Sequence, residues 1–234
     1  MIEDLSKKNV YTYINTHINQ YLSEFDFKYY KSLQELKKKT ETGFLSIGIF
    51  GANYSSFIEK NYTLNASFRT RIDIVNSIAE EFTREYGTRT RKESNNDPTS
   101  FTVTDYWLNS VNPYSTESFY EKISTFDDVQ ECAELLLEFI KKNIIPYFSQ
   151  VQTIEGLDRF IHDEYRGEHY HSFWGCTSSS ILNGIVVAKL AKRQDFAIIV
   201  EKYRERIIEI ADVSLPSYDL LDSFEKLLKK LETV

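Results

Sequence analysis

The chain contains few of the residues that cross-link or interrupt a fold. Its 234 residues include only 2 cysteines, 4 prolines and 8 glycines. So little proline and glycine argues against long flexible linkers. The two cysteines, Cys132 and Cys176, lie in different predicted elements and are too few for a disulfide framework. We therefore expect both thiols to be free.

Long apolar runs are also missing. Residues 181–191 form one of the most apolar stretches, but Asn183 and Lys189 interrupt it, and it is too short to span a bilayer. The first four residues are Met, Ile, Glu and Asp, unlike the basic and apolar start of a signal peptide. These features predict a cytoplasmic protein with reduced cysteines and without a membrane partner.

Aromatic and apolar residues are abundant instead. Hydrophobic residues make up 41% of the chain, including 16 Phe and 16 Tyr, which is enough for a packed core. Residues 44–50 (FLSIGIF) are almost continuously apolar and predict a central strand that is buried on both faces. We expect residues 51–56 (GANYSS) to interrupt it. Residues 62–71 alternate, which predicts a strand with one packed and one wet face.

Helical periodicity prevails elsewhere. It predicts helices over residues 4–23 and 72–82, and a strong one over 127–145 that Thr125 caps and Pro146 ends or kinks. Four further helices are predicted, over residues 153–163, 179–192, 195–212 and 217–232. The predicted fold class is α+β, a small antiparallel sheet with flanking helices followed by a helical C-terminal layer. We expect a sheet-containing region at 1–125 and a helical region at 126–234, packed together as one compact unit.

The net charge of −7 is concentrated in the middle third of the chain. Residues 101–180 carry 5 Lys or Arg against 13 Asp or Glu, while the flanking segments are nearly balanced. In the predicted helix 127–145, four carboxylates recur every three or four residues and share one side. They are Asp127, Glu131, Glu134 and Glu138, opposite the apolar Val129, Leu136, Phe139 and Ile140. Such a face attracts a basic partner, although solvated helices carry the same pattern.

Reactive side chains cluster between residues 162 and 176. The cluster comprises His162, Glu168, His169, His171, Trp174 and Cys176. Some of these are zinc-ligand types, but the spacing matches no known zinc site, and a Cys–His pair here lacks an orienting third group. We interpret the segment as a structural hinge, expect no metal or cofactor and assign no catalytic residue. The alternative is an enzyme or ligand-binding protein with a pocket near His169 and Trp174.

Basic residues are concentrated in one short region, at Arg69, Arg71, Arg84, Arg89, Arg91 and Lys92. Phe82 and Tyr86 lie among them, as aromatic residues do in some nucleic-acid surfaces. The chain is acidic overall, however, and contains no RNA-binding signature. We therefore do not expect a nucleic-acid partner.

The order of the predicted elements resembles that of a known family. An N-terminal helix is followed by FKYYKS at 27–32, GFLSIGI at 43–49, YTLNASF at 62–68 and the helix after TFDD at 125–128. Over about residues 1–165, this order is similar to an uncharacterised bacterial family of α+β proteins, some of them proposed immunity partners of secreted toxins. The resemblance implies a protein-interaction module rather than an enzyme, with a basic toxin as its partner. It implies no functional residue and leaves the oligomeric state open.

Overall fold

The computed structural model describes residues 6–56, 59–87, 101–104, 123–163, 178–213 and 217–234. In these ranges the chain is an α+β protein, which confirms the predicted fold class. The strands are β1 (Lys28–Tyr30), β2 (Glu35–Lys39), β3 (Gly43–Ser56), β4 (Glu59–Ile72) and β5 (Phe101–Thr104). The helices are α1 (Lys7–Leu22), α2 (Asp73–Gly87), α3 (Phe126–Phe139), α4 (Ile145–Gln150), α5 (Ile154–His162), α6 (Ser178–Leu190), α7 (Phe196–Val213) and α8 (Ser217–Leu231).

The five strands form one sheet in the order β1-β2-β3-β4-β5, so each strand lies beside the next one along the chain. β1 with β2 and β2 with β3 are antiparallel pairs, and one line of the register joins Tyr29, Leu36 and Ile47. Only two residues link β3 to β4, which is too few for a parallel crossover. This third pair is therefore antiparallel as well.

The central strand confirms one sequence prediction and corrects two. Residues 45–49 of β3 are all buried, as expected for a strand that is covered on both faces. The interruption expected at 51–56 is wrong, because β3 continues to Ser56; main-chain pairing with β4 does not depend on side-chain type. The wet face expected for β4 is wrong at Ser67, which is only 4% exposed.

An ion pair crosses the polar face of the sheet above Gly48. Glu35 on β2 is opposite Gly48 in the register, and its side chain is buried. Arg69 Nη1 on β4 lies 3.4 Å from Glu35 Oε1. A Cβ atom on Gly48 would lie 2.9 Å from Ser67 Oγ and 3.2 Å from Arg69 Nη2, so the missing side chain leaves room for both side chains of β4. This close approach explains a glycine in the middle of a central strand.

The helices of the first half follow their apolar periodicity. α1 buries Val10, Ile14, Ile18 and Leu22, as the sequence predicts. The helix after Thr125 does not end at Pro146, however, because a π-helical segment (Ile140–Ile144) joins α3 to α4. A proline ring clashes with the carbonyl four residues earlier in an α-helix, and that residue, Lys142, lies in the wider π turn. The chain therefore stays helical to Gln150.

The contacts divide the chain into two compact units, and neither is continuous in sequence. Unit 1 comprises Met1–Thr70 and Thr102–Ser149, and it contains α1, α3 and most of the sheet. Unit 2 comprises Arg71–Phe101 and Gln150–Val234, and it contains α2 and α5 to α8. Residue 125, where the sequence analysis places a boundary, lies inside unit 1.

Candidate functional site

The acidic helix α3 begins with a capping box. Thr125 Oγ1 accepts a hydrogen bond from the backbone N–H of Asp128, and Asp128 Oδ2 accepts one from the N–H of Thr125 at 2.7 Å. Ser124 donates two more hydrogen bonds to the same oxygen, from its backbone N–H and its hydroxyl group. These bonds, led by the Ser124 N–H, lower the pKa of Asp128 to about 2. The backbone N–H groups of Ser124, Thr125 and Asp128 are therefore all hydrogen-bonded at the start of α3.

The four predicted carboxylates, Asp127, Glu131, Glu134 and Glu138, are all exposed on α3. The apolar positions opposite them, Val129, Leu136, Phe139 and Ile140, are buried. Glu138 accepts a hydrogen bond from Lys141 Nζ at 2.6 Å, and this contact lowers the pKa of Glu138. The other three make no ion pair or hydrogen bond with any residue that the structure describes. We call Asp127, Glu131 and Glu134 the acidic stripe.

Contacts with α1 hold the helix that carries the acidic stripe. The ring of Tyr13 meets the ring of Phe126 edge-on, with 5.5 Å between the centroids. Gln130 Nε2 donates a hydrogen bond to Tyr13 Oη at 3.3 Å. Phe139, at the other end of α3, packs against Phe68 of the sheet. The stripe thus lies on a helix that is packed at both ends.

A second polar feature, in unit 2, is centred on His162 at the end of α5. His162 Nδ1 lies 2.8 Å from Asp158 Oδ1, one turn earlier on the same helix. Its Nε2 lies 3.0 Å from Tyr203 Oη on α7. Because a carboxylate only accepts hydrogen bonds, we assign His162 Nδ1 as the donor to Asp158.

Arg193, between α6 and α7, extends this network. It donates hydrogen bonds to Asp158 at 3.0 Å, to Asp163 at 2.9 Å and to both carboxylate oxygens of Asp195. These contacts, with Asp195 first, raise the pKa of Arg193. His162 itself is 3% exposed. We call Asp158, His162, Arg193 and Tyr203 the histidine network.

The sequence analysis found only one member of the histidine network. The spacing of Asp158 and His162 by four residues is a helix-face signal that could have paired them. Arg193 and Tyr203 lie 31 and 41 residues from His162, so no local pattern connects them. The other residues of the predicted cluster, Glu168, His169, His171, Trp174 and Cys176, lie outside the described residues.

Other predicted residues have structural roles where the structure describes them. Cys132 is a buried cysteine of α3 that belongs to no disulfide. Arg69 pairs with Glu35, and Arg71 with Asp73, while the side chains of Arg84, Arg89, Arg91 and Lys92 lie outside the described part. In the described ranges, no group of three His, Cys, Asp or Glu side chains is placed to hold a metal ion. No helix there is both long and apolar enough to cross a bilayer.

Fold and site together define an α+β protein that presents an acidic helix face in one unit and encloses a histidine network in the other. No family model, curated protein or solved structure matches the chain. The similarity to the bacterial family with proposed immunity proteins therefore stays a prediction.

Proposed function

We propose that this chain is a protein-interaction module that binds a basic protein through the acidic stripe of α3. An immunity-like inhibitor that covers a basic site of a toxin is the form of this function that the element order favours. The proposal depends chiefly on one observation. Asp127, Glu131 and Glu134 are exposed on one helix face, and they have no ionic partner among the described residues.

Electrostatics support this role. Like charges spaced by three or four residues on a helix repel each other by a few tenths of a kcal/mol, roughly 0.2–0.5 per pair. A basic partner offsets this repulsion and adds attraction. Of the four carboxylates on this face of α3, only Glu138 is paired with a cation from the described part of the chain. Complementary charges also accelerate association, and salt screens the effect. Binding through the stripe should therefore be fast and salt-sensitive.

The second candidate is an enzyme or ligand-binding protein with a pocket near His169 and Trp174. The observation in its favour is the Asp158–His162 pair, since a carboxylate orients an imidazole in the same way in catalytic triads. Both ring nitrogens of His162 are already engaged within the protein, however, and the ring is buried. This geometry favours a structural role for His162, so we place protein binding first.

The proposal is tested by reversing the charge of the stripe. The variant Glu131→Lys/Glu134→Lys spares Asp127, which lies in the first turn of α3 where a negative charge stabilises the helix. We expect it to lose a basic protein that the wild-type chain captures from lysate of its source cells, identified by mass spectrometry. With the purified partner, association should slow at least about tenfold at low ionic strength and depend less on salt.

The matched control is Glu205→Lys/Glu232→Lys, which changes the net charge equally at two exposed carboxylates of unit 2. It should capture the same basic protein as the wild type does. The proposal fails if both variants, shown to be folded by circular dichroism, capture the same proteins at the same rates.

A further inference from the structure

A basic surface in unit 1 lies on the hairpin of β1 and β2. Residues 28–39 contain five lysines and a single acidic residue, Glu35. Glu35 is buried and contacts Lys37 and Arg69, so it does not neutralise the rest. Lys28, Lys31 and Lys39 are exposed and form no ion pair with any residue in the described ranges. We call residues 28–39 the basic hairpin.

The turn of the basic hairpin also exposes apolar surface. Tyr30 is 45% exposed and Leu33 is 43% exposed, and the turn between them is closed by a hydrogen bond from the Leu33 N–H to the Tyr30 carbonyl. Only six large hydrophobic side chains are exposed in the described part of the chain, and these are two of them. The hairpin therefore exposes apolar side chains beside its lysines.

The acidic stripe, which also lies in unit 1, carries the opposite charge. Leu135 and Leu137 are half-buried on α3 and, at about 100° of rotation per residue, they fall on either side of the stripe.

We propose that the chain forms a two-fold dimer in which the basic hairpin of each copy docks on the acidic stripe of the other. The basic hairpin carries three cations and the acidic stripe three carboxylates that form no ion pair within the described ranges, so two copies complement each other in charge. Two-fold symmetry makes this contact twice, which leaves neither surface of either copy open. The inference rests on the proposed function because it uses the same stripe. A basic partner then competes with the second copy for that stripe.

The test is a charge exchange on the full chain, read as molar mass by analytical ultracentrifugation. Lys28→Glu/Lys31→Glu/Lys39→Glu gives a protein whose hairpin and stripe are both acidic, and Glu131→Lys/Glu134→Lys gives one in which both are basic. We expect each variant alone to dimerise at least about tenfold more weakly than the wild type. An equimolar mixture should restore the dimer, because each hairpin then meets a stripe of opposite charge.

Two controls complete the test. Glu205→Lys/Glu232→Lys should dimerise as the wild type does, and salt near 1 M, where the Debye length is about 3 Å, should dissociate the wild-type dimer. Circular dichroism establishes that each variant is folded. A wild type that is monomeric at all accessible concentrations overturns the dimer, as does a dimer that neither variant weakens.

The experiments can refute the dimer without refuting the proposed function, and the reverse. A monomeric wild type whose capture of a basic protein still requires Glu131 and Glu134 overturns the dimer and leaves the proposed function standing. Capture of an unrelated acidic protein by a monomeric wild type, lost in Lys28→Glu/Lys31→Glu/Lys39→Glu, likewise overturns the second copy as the occupant of the hairpin. A salt-sensitive dimer that exchanges as described supports the inference even if no basic protein is captured.

Discussion

The hydroxyl group of Tyr203 makes a polar contact that is possible only because residue 184, which faces it, is a glycine. This hydroxyl group is hydrogen-bonded to His162 Nε2 and lies close to Gly184 of α6. A Cβ atom on Gly184 would lie only 2.0 Å from the tyrosine oxygen. Gly184 therefore creates the space that allows the histidine network to close.

The first prediction at the residue scale concerns Gly184→Ala. In a helix interior this change normally stabilises by about 1 kcal/mol, but here we expect it to lower the free energy of unfolding by about 1–3 kcal/mol. Tyr203→Phe removes the hydroxyl group that is hydrogen-bonded to His162 Nε2, which should cost about 1–3 kcal/mol.

The double variant Gly184→Ala/Tyr203→Phe separates the contact from general destabilisation. Because the hydroxyl group is the closest atom to the added methyl, we expect the two changes together to cost at least about 1 kcal/mol less than the sum of the single changes. Urea unfolding of all four proteins measures this coupling. Additive losses would show that Tyr203 does not fill the space above Gly184.

At the element scale, short-range sequence determines where α3 begins, whereas tertiary contacts determine how the helix continues at its C-terminal end. Thr125 and Asp128 satisfy backbone groups of the first turn, and this motif can be read from the sequence around the helix start. The π segment before Pro146 follows no such local signal. Buried Ile140, Ile144 and Tyr147 keep the chain packed through the proline, so tertiary contacts favour a continued helix over a break.

The prediction at this scale concerns the capping box. Thr125→Ala should reduce the free energy of unfolding by about 1 kcal/mol near neutral pH. The pKa of Asp128 is lowered from 3.8 to about 2 in the folded chain. Its contribution to the free energy of unfolding is therefore fully present at a pH above the pKa that it has in the unfolded chain. That contribution should disappear as the pH falls from about 4 through about 2.

Asp128→Asn tests the pH dependence directly. The difference in stability between the wild type and this variant should be large at neutral pH and shrink on acidification, measured by urea unfolding from about pH 2 to pH 7. Asp127→Asn removes the same charge from the same turn without breaking the capping box, and it should have a smaller effect. A difference that stays constant with pH would contradict the role of Asp128.

At the scale of the whole molecule, each compact unit collects segments that are distant in sequence. In unit 2, α2 packs against both α6 and α8, although α6 begins about 90 residues after α2 ends. Lys230 Nζ lies 3.0 Å from Glu81 Oε2 and 5.3 Å from the centroid of the Phe82 ring. The C-terminal helices therefore depend on a helix from the first half of the chain.

This arrangement predicts the behaviour of fragments. A fragment of residues 126–234 lacks α2, whose Val75, Ile78 and Phe82 are buried. Each such side chain contributes about 1.5–3 kcal/mol, against about 5–15 kcal/mol for a whole domain. We expect this fragment to unfold without cooperativity, while residues 71–234, which keep all of unit 2, retain a cooperative thermal transition by circular dichroism. Equal cooperativity in the two fragments would contradict the prediction.

The candidate site was predictable where it depends on local spacing. The acidic stripe follows from carboxylates every three or four residues beside an apolar face, because helical periodicity alone brings them together. His162 was singled out, but its contacts with Arg193 and Tyr203 were not foreseen, since they join segments that no short-range pattern relates. The hydroxyl of Tyr203 fits there only because a glycine of a third helix faces it.

The amino-acid sequence by itself determined the fold class, the helices α1 and α3, the buried strand β3 and the distribution of charge. All of these express residue periodicity or residue type over a short stretch of chain. Only the tertiary structure decided that β3 continues past residue 51, that Ser67 is covered and that the helix passes Pro146. It alone decided which distant segments form each unit. These outcomes depend on burial and on pairing with remote partners, and the chain acquires those partners only when it folds.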